Sequence, residues 1–256
     1  MNTLTEATKN MKRVPESLTE IEAYMKERVG LGTSFDFGIR KIKVLDREIH
    51  FYYINGLIDT LFVIRSLEEL VNLNDFHDEE VDDYFALIKN RINHQSVEEV
   101  KYLDEAVDQI LSGLIAIFVE GETKVFVVDT RSYPGRTPEE PDTEKVIRGS
   151  RDGFVENIIL NTALIRRRIR DERLRFEMLK VGERSKTDVS IVYLEDVANP
   201  KLINTIKKEI EAIEVDGLTM ADKAIEEYIL HQGYNPYPQV RYTERADVAA
   251  THVLEG

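Results

Sequence analysis

The chain contains no cysteine. Disulfides, thiolate metal centres and cysteine nucleophiles are therefore excluded, and the absence fits a reducing compartment such as the cytosol. It also lacks any apolar run approaching the ~20 residues that cross a bilayer. The longest, Leu114 to Val119, suits a buried strand. The opening MNTLTEATKNMKRVPESLTE has charges every few residues and no apolar stretch of secretory type, so nothing in this segment directs export. Positive charge is scarce too. Against 48 acidic residues stand 34 lysines and arginines, a formal net charge of -14, which disfavours general binding to nucleic acid or an anionic membrane. What is present is ordinary for a globular protein, with 42% hydrophobic and 32% charged residues in a chain of 256. That length allows one large domain or two smaller ones, and two compact halves fit it better.

Ser17 followed by Glu20 predicts a capping box that opens a helix through about Arg28, ended by Gly30 and Gly32. Phe35 to Val44 and Ile49 to Ile54 are rich in β-branched and aromatic residues, and the turn-like Leu45 to Glu48 between them makes a hairpin. Helical spacing of Leu61, Ile64, Leu67, Leu70 and Val71 packs a helix back on that hairpin. Further helices are expected over Glu79 to Lys89 and Glu105 to Leu111, with strands at Leu114 to Val119 and Lys124 to Asp129. From Thr130 to Pro141 the chain reads TRSYPGRTPEEP, in which proline forbids both a helix and a central strand. Beyond it come a helix over Phe154 to Ile169, strands at Leu174 to Val181 and Val189 to Leu194, and a helix capped by Asn199 and Pro200. The apolar pattern of Ile49 to Leu70 recurs from Val189 to Ile210, nearly without identities. The expectation is an α/β protein of two small subdomains, each a mixed sheet flanked by helices: residues 1–130, a Pro/Gly-rich linker at 131–153, residues 154–240, and a connecting segment at 241–256.

Charge is divided unevenly between the halves. Lys145 to Lys186 holds twelve basic and six acidic residues, whereas Ser66 to Asp108 holds thirteen acidic and three basic ones. Complementary faces steer association and fix orientation, so Arg148, Arg151, Arg166, Arg167, Arg168 and Arg170 are interface candidates, and Pro134, Pro138 and Pro141 are hinge candidates. A solvated face with scattered ion pairs is the plainer alternative. The acidic run Asp75 to Asp83 lacks the alternating ligands, glycine and terminal glutamate of a calcium loop. The five histidines, His50, His77, His94, His231 and His252, have no zinc-ligand spacing. Ser185 and Lys186 are adjacent and have no GxSxG elbow, so they make a poor nucleophile and base. No catalytic, metal or cofactor constellation is expected.

Three stretches carry a resemblance. SYPGRTPEEPDTEKVIRGSRDGFVENIILNTALIRRRIRD (Ser132 to Asp171), GERSKTDVSIVYLEDVANPKLI (Gly182 to Ile203) and the C-terminal NPYPQVRYTERADVAATHVLEG together resemble the A subunits of GerA-type spore germination proteins. The first half resembles a sporulation relative within that family more than the receptor subunits. The resemblance implies a soluble N-terminal region of two α/β subdomains preceding membrane-spanning helices, placed on the cytosolic face of the spore inner membrane. It implies a non-enzymatic role in assembly or signal transmission within a receptor or ion-channel complex, without a cofactor or nucleic acid. The implied partners are further copies of the chain and other germination membrane proteins. A cleft between subdomains that holds a small solute, such as a germinant or dipicolinate, is the alternative.

Overall fold

In the computed structural model, residues 11–75, 83–92, 94, 96–133, 152–217, 221–230 and 240–256 are described. The chain divides into two units. One comprises Met1–Gly32, Asp36–Pro134 and Arg170–Glu172; the other comprises Thr33–Phe35, Gly135–Ile169 and Arg173–Gly256.

The first unit is built on a hairpin. β1 (Phe37–Val44) and β2 (Arg47–Ile54) pair from Phe37↔Ile54 to Val44↔Arg47. The turn is tighter than the expected Leu45 to Glu48. Only Leu45 and Asp46 lie in it, at φ 44 and 66, the left-handed conformation that matches a two-residue turn to strand twist. Neither is glycine, and Asn74 supports the turn: Leu45 N donates to its Oδ1 at 2.7 Å, and its Nδ2 donates to Lys43 O at 3.1 Å.

Strands β3 (Val97–Val100), β4 (Ile115–Val119) and β5 (Val125–Val128) extend the hairpin into a sheet ordered β1-β2-β4-β5-β3. Every pairing between described strands is antiparallel, so the α/β class stands but the sheets are not mixed. All residues of β4 and β5 are buried, as the apolar runs require. One face of the sheet presents Val44, Ile49, Phe51, Ile117 and Phe126 to α2 (Thr60–Val71) and α3 (Tyr84–Arg91), through Val63, Leu70, Tyr84 and Ile88. α3 starts at Tyr84, not Glu79, because Asp83 accepts from Ala86 N and caps it there; residues 79–82 lie outside the described set. The other face carries α1 (Leu18–Arg28) and α4 (Leu103–Leu111).

The capping box at Ser17 does not form. Instead Leu18 N donates to Glu120 Oε2 at 2.9 Å, so a carboxylate from the β4–β5 turn takes the orphan donor and sets negative charge at the helix N-terminus. Tertiary structure supplies the cap that the local sequence advertised.

The second unit repeats the plan. α5 (Ile158–Arg168), β6 (Leu174–Val181), β7 (Thr187–Leu194) and α6 (Pro200–Glu211) have lengths of 11, 8, 8 and 12 residues, the same as α1, β1, β2 and α2. In both, the cap of the last helix stands five residues beyond the hairpin: Asp59 accepts from Leu61 N and Phe62 N, and Asn199 accepts from Lys201 N. The apolar pattern shared by Ile49–Leu70 and Val189–Ile210 is thus the trace of a helix–hairpin–helix that occurs twice. Alternation along β6 and β7 sends Leu174, Phe176, Val192 and Leu194 into one cluster with Ile165, Ile169 and Ala250, and sends Leu179, Val181, Val189 and Ile191 into another with Ile206, Ile210 and Ile213. Helix α7 (Ala221–Leu230) adds Ile229 to the second cluster, and α8 (Ala246–Glu255) adds Ala250 and Val253 to the first. Residues 241–256 are therefore packed parts of this unit. Among the residues called linker, Ser132 N donates to Leu57 O at 2.8 Å and Tyr133 Oη donates to Ser112 O at 2.6 Å, both within the first unit.

On α1, Glu22 pairs with Lys41 of β1 at 2.5 Å and with Lys26 at 2.9 Å. Hydrogen bonds from Lys41 and then Lys26 hold its carboxyl down from 4.5 to about 2. A carboxyl depressed by folding contributes stability above its unfolded value and loses it as the pH falls. Glu22→Gln is therefore expected to unfold more easily than the parent at neutral pH, with the difference shrinking between pH 4.5 and 2. Chemical denaturation across that range checks this, and a difference that stays constant would contradict it.

Candidate functional site

The arginine run at the end of α5 was the feature most suggestive of a charged face. A helix turns about 100° per residue, so consecutive arginines cannot share a direction. Arg166 points inward and is 0% exposed. Its Nη2 donates to Leu174 O at 3.1 Å and its guanidinium lies 4.9 Å from the centroid of the Phe176 ring. Phe176 also meets Phe35 edge-on, at 6.3 Å between centroids. Arg166 is thus a core residue of the second unit, and its expected place in an interface is corrected. Arg168 donates to Asp152 Oδ2 at 2.6 Å and to Leu164 O at 2.7 Å, so it ties the helix end to the preceding segment. Arg167 and Arg170 are exposed, and Arg170 Nη1 reaches Ser112 Oγ at 3.4 Å.

The neighbouring arginines also have carboxylate partners. Arg173 meets Asp196 at 2.5 Å, and buried Arg175 meets Glu195 at 2.6 Å. Among the described residues the basic cluster is therefore divided among helix end, core and strand. Arg148, Arg151, Pro134, Pro138 and Pro141 lie outside the described residues, as do Asp78, Glu79, Glu80 and Asp82 of the acidic run.

His50 is buried, with Nε2 2.8 Å from Glu48 Oε1 and Nδ1 3.4 Å from Tyr52 Oη. Burial lifts the Tyr52 hydroxyl above its ordinary range. His94 contacts the Ser96 backbone and His252 pairs with Glu255 on α8; His77 and His231 lie outside the described residues. Among the described residues, no three carboxylate or imidazole groups converge to hold a metal, and no helix is long and apolar enough to cross a membrane. Ser185 Oγ donates to Val181 O at 3.4 Å and Lys186 has φ 45, which makes this pair part of the β6–β7 turn.

Two of the open clefts among the described residues lie in the first unit. The larger, about 880 Å³, lies at the tip of the β1–β2 hairpin between Lys41, Lys43, Asp46, Arg47, Glu48, Glu120 and Glu122. The smaller, about 410 Å³, is lined by Arg13, Val14, Lys101, Tyr102, Thr123 and Lys124. Sequence reading missed both, because their residues come from separated segments and no local spacing announces them.

A family model described as the Bacillus/Clostridium GerA spore germination protein matches residues 23–256. The chain belongs to the GerA family. Stage V sporulation protein AF of Bacillus subtilis (strain 168) is 60% identical over 244 residues, covering 95% of this chain and 49% of that protein. Spore germination protein KA of the same strain is 29% identical over 250 residues, covering 95% of this chain and 44% of the relative. The crystal structure of the N-terminal domain of the A subunit of the Bacillus megaterium spore germinant receptor GerK3 matches with a TM-score of 0.72 at 26% identity, over 96% of this chain and 91% of that one. The chain thus spans about half the length, or less, of the curated relatives it matches. The resemblance read in the sequence, its sporulation relative included, stands, and so does the α/β fold.

The arginines separate into testable classes. Arg166→Ala removes a buried donor from Leu174 O and opens a void over Phe176, and should destabilise the second unit by about 2 kcal/mol or more. Arg167→Ala, on the exposed side, should stay within about 0.5 kcal/mol of the parent. Denaturant titration of both variants decides the matter; equal effects would contradict the placement.

Proposed function

We propose that this GerA-family chain is the N-terminal domain of a spore germination membrane protein and works without catalysis, transmitting a signal or holding an assembly together on the cytosolic face of the spore inner membrane. The observation that carries the reading is the likeness to the GerK3 A-subunit domain over nearly the whole of both chains. Its partners are further copies of the chain and other germination proteins, met in part through the portion of the relatives that this chain does not span.

Two surface features support contacts of that kind. On the outer side of α2, Leu61, Ile64 and Val71 recur at helical spacing with exposures of 65%, 46% and 44%, and grouped exposed apolar side chains mark contact surfaces. Arg167 and Arg170 are members of the basic cluster that face solvent, as Arg173 does beside Asp196. The proline-rich stretch with Pro134, Pro138 and Pro141 serves as the joint between residues 1–130 and 154–240.

The experiment places Leu61→Ser with Ile64→Ser, and separately Arg167→Glu with Arg170→Glu, in the full-length protein in spores. Each pair is expected to slow germination and to reduce recovery of co-purified germination proteins, while the purified 256-residue chain keeps its unfolding midpoint. Normal germination and normal recovery with both pairs would contradict the proposal.

A further inference from the structure

The smaller cleft of the first unit differs in kind from the larger one. Three separate segments build it. Residues before α1 run antiparallel to the β3–α4 joint, with Arg13 bridged to Tyr102, Val14 N donating to Lys101 O at 3.0 Å and Leu103 N donating to Lys12 O at 2.8 Å. The β4–β5 turn then adds Thr123 and Lys124. Its position is fixed by Gly121 N donating to Glu16 O at 2.9 Å and by the Leu18–Glu120 cap.

Among the described residues the walls are three cations, two hydroxyl side chains and one valine, with no carboxylate. In the larger cleft the charges already satisfy one another: Lys43 meets Asp46 at 2.9 Å, Arg47 meets Glu122 at 3.2 Å, Lys41 meets Glu22, Glu48 meets His50, and Glu120 caps α1. In the smaller cleft Lys124 meets a carboxylate, Glu99 at 3.0 Å, and that carboxylate is shared with Lys89 at 2.7 Å. Among the described residues neither Arg13 nor Lys101 meets one. Asp104, the acid at the start of α4, is engaged by Lys12 N at 2.8 Å and by the Tyr24 hydroxyl at 2.9 Å.

Distance decides between this local field and the chain's overall charge of -14. Salt screens exposed charges beyond about 8 Å under physiological conditions, so distant acids count for little inside a cleft whose own walls are cationic. Three cations held together repel one another, and an anion relieves that repulsion while replacing water. A volume of about 410 Å³ falls in the range of small-ligand sites.

We propose that this cleft binds a small oxyanion carrying at least two negative charges, of the phosphate or polycarboxylate class. Arg13 supplies a planar fork that grips two oxygens at once, whereas Lys101 and Lys124 act as point charges. Thr123 and Tyr102 supply neutral hydroxyl donors. The backbone pairing that joins the segment before α1 to the β3–α4 joint sets the distance between Arg13 and Lys101, so ligand occupancy would tighten that pairing. This inference stands apart from the assembly reading, since the site is defined by its own walls.

The test is an amide chemical-shift titration of the 256-residue chain with inorganic phosphate and with citrate, against chloride at matched ionic strength. Saturable shifts at Arg13, Lys101, Tyr102 and Thr123 are expected with at least one of the two anions and not with chloride. Arg13→Gln with Lys101→Gln should weaken binding about tenfold or more, whereas Lys41→Gln with Lys43→Gln, in the larger cleft, should leave it within about twofold. Circular dichroism verifies that each variant is folded, and Arg13→Lys with Lys101→Arg, which keeps the charge, should retain binding if the glutamine pair does not fold. Absence of saturable shifts with both anions, shifts centred elsewhere, or unchanged affinity in the folded glutamine variant would overturn the proposal.

Discussion

Each unit of this chain depends on a hairpin that must bury both of its faces. In β6 and β7 the apolar Leu174, Phe176, Val192 and Leu194 join a cluster on one side and Leu179, Val181, Val189 and Ile191 join a cluster on the other, so a single layer of helices could not cover both. The unit therefore brings α5 and α8 to one face and α6 to the other. The first hairpin solves the same problem with α1 and α4 opposite α2 and α3, and adds three strands that carry its hydrogen bonding outward. Burial at about 25 cal/mol per Å² makes these faces the main favourable term. Caps, ion pairs and turns select among arrangements that already satisfy it.

Strand and helical patterns identified the first hairpin, both strands of the second and most of the helices, because those patterns are imposed by the same burial. Asn199 and Pro200 were legible as a helix start because the cap acts within its own turn. Ser17 misled because the helix start is capped instead from far along the chain, with Leu18 N donating to Glu120, a contact that no local window contains. Mixed sheets were expected where the structure shows antiparallel pairs: strand periodicity reports burial and leaves direction open. Arg166 was the larger surprise. A third arginine neighbour at a helix end looks like surface, yet the carbonyl of Leu174 and the ring of Phe176 make a site that a long planar cation fills.

The candidate sites were less legible than the fold. The basic and acidic runs are real in the sequence, but several of the arginines are tied to nearby carboxylates or carbonyls, and much of the acidic run lies outside the described residues. The cationic cleft was invisible because Arg13, Lys101 and Lys124 come together only through backbone pairing of distant segments. Family membership rests on residues that the sequence displays openly, whereas a small-ligand cleft must be read from the fold.

The claim most exposed to experiment is that each hairpin is the stable centre of its unit. Amide hydrogen exchange under native conditions measures it directly, since protection tracks the free energy of local opening. The slowest amides should lie in Phe37–Ile54 with β4 and β5, and in Leu174–Leu194. Exchange of the Leu174–Leu194 amides as fast as that of exposed turns would contradict it.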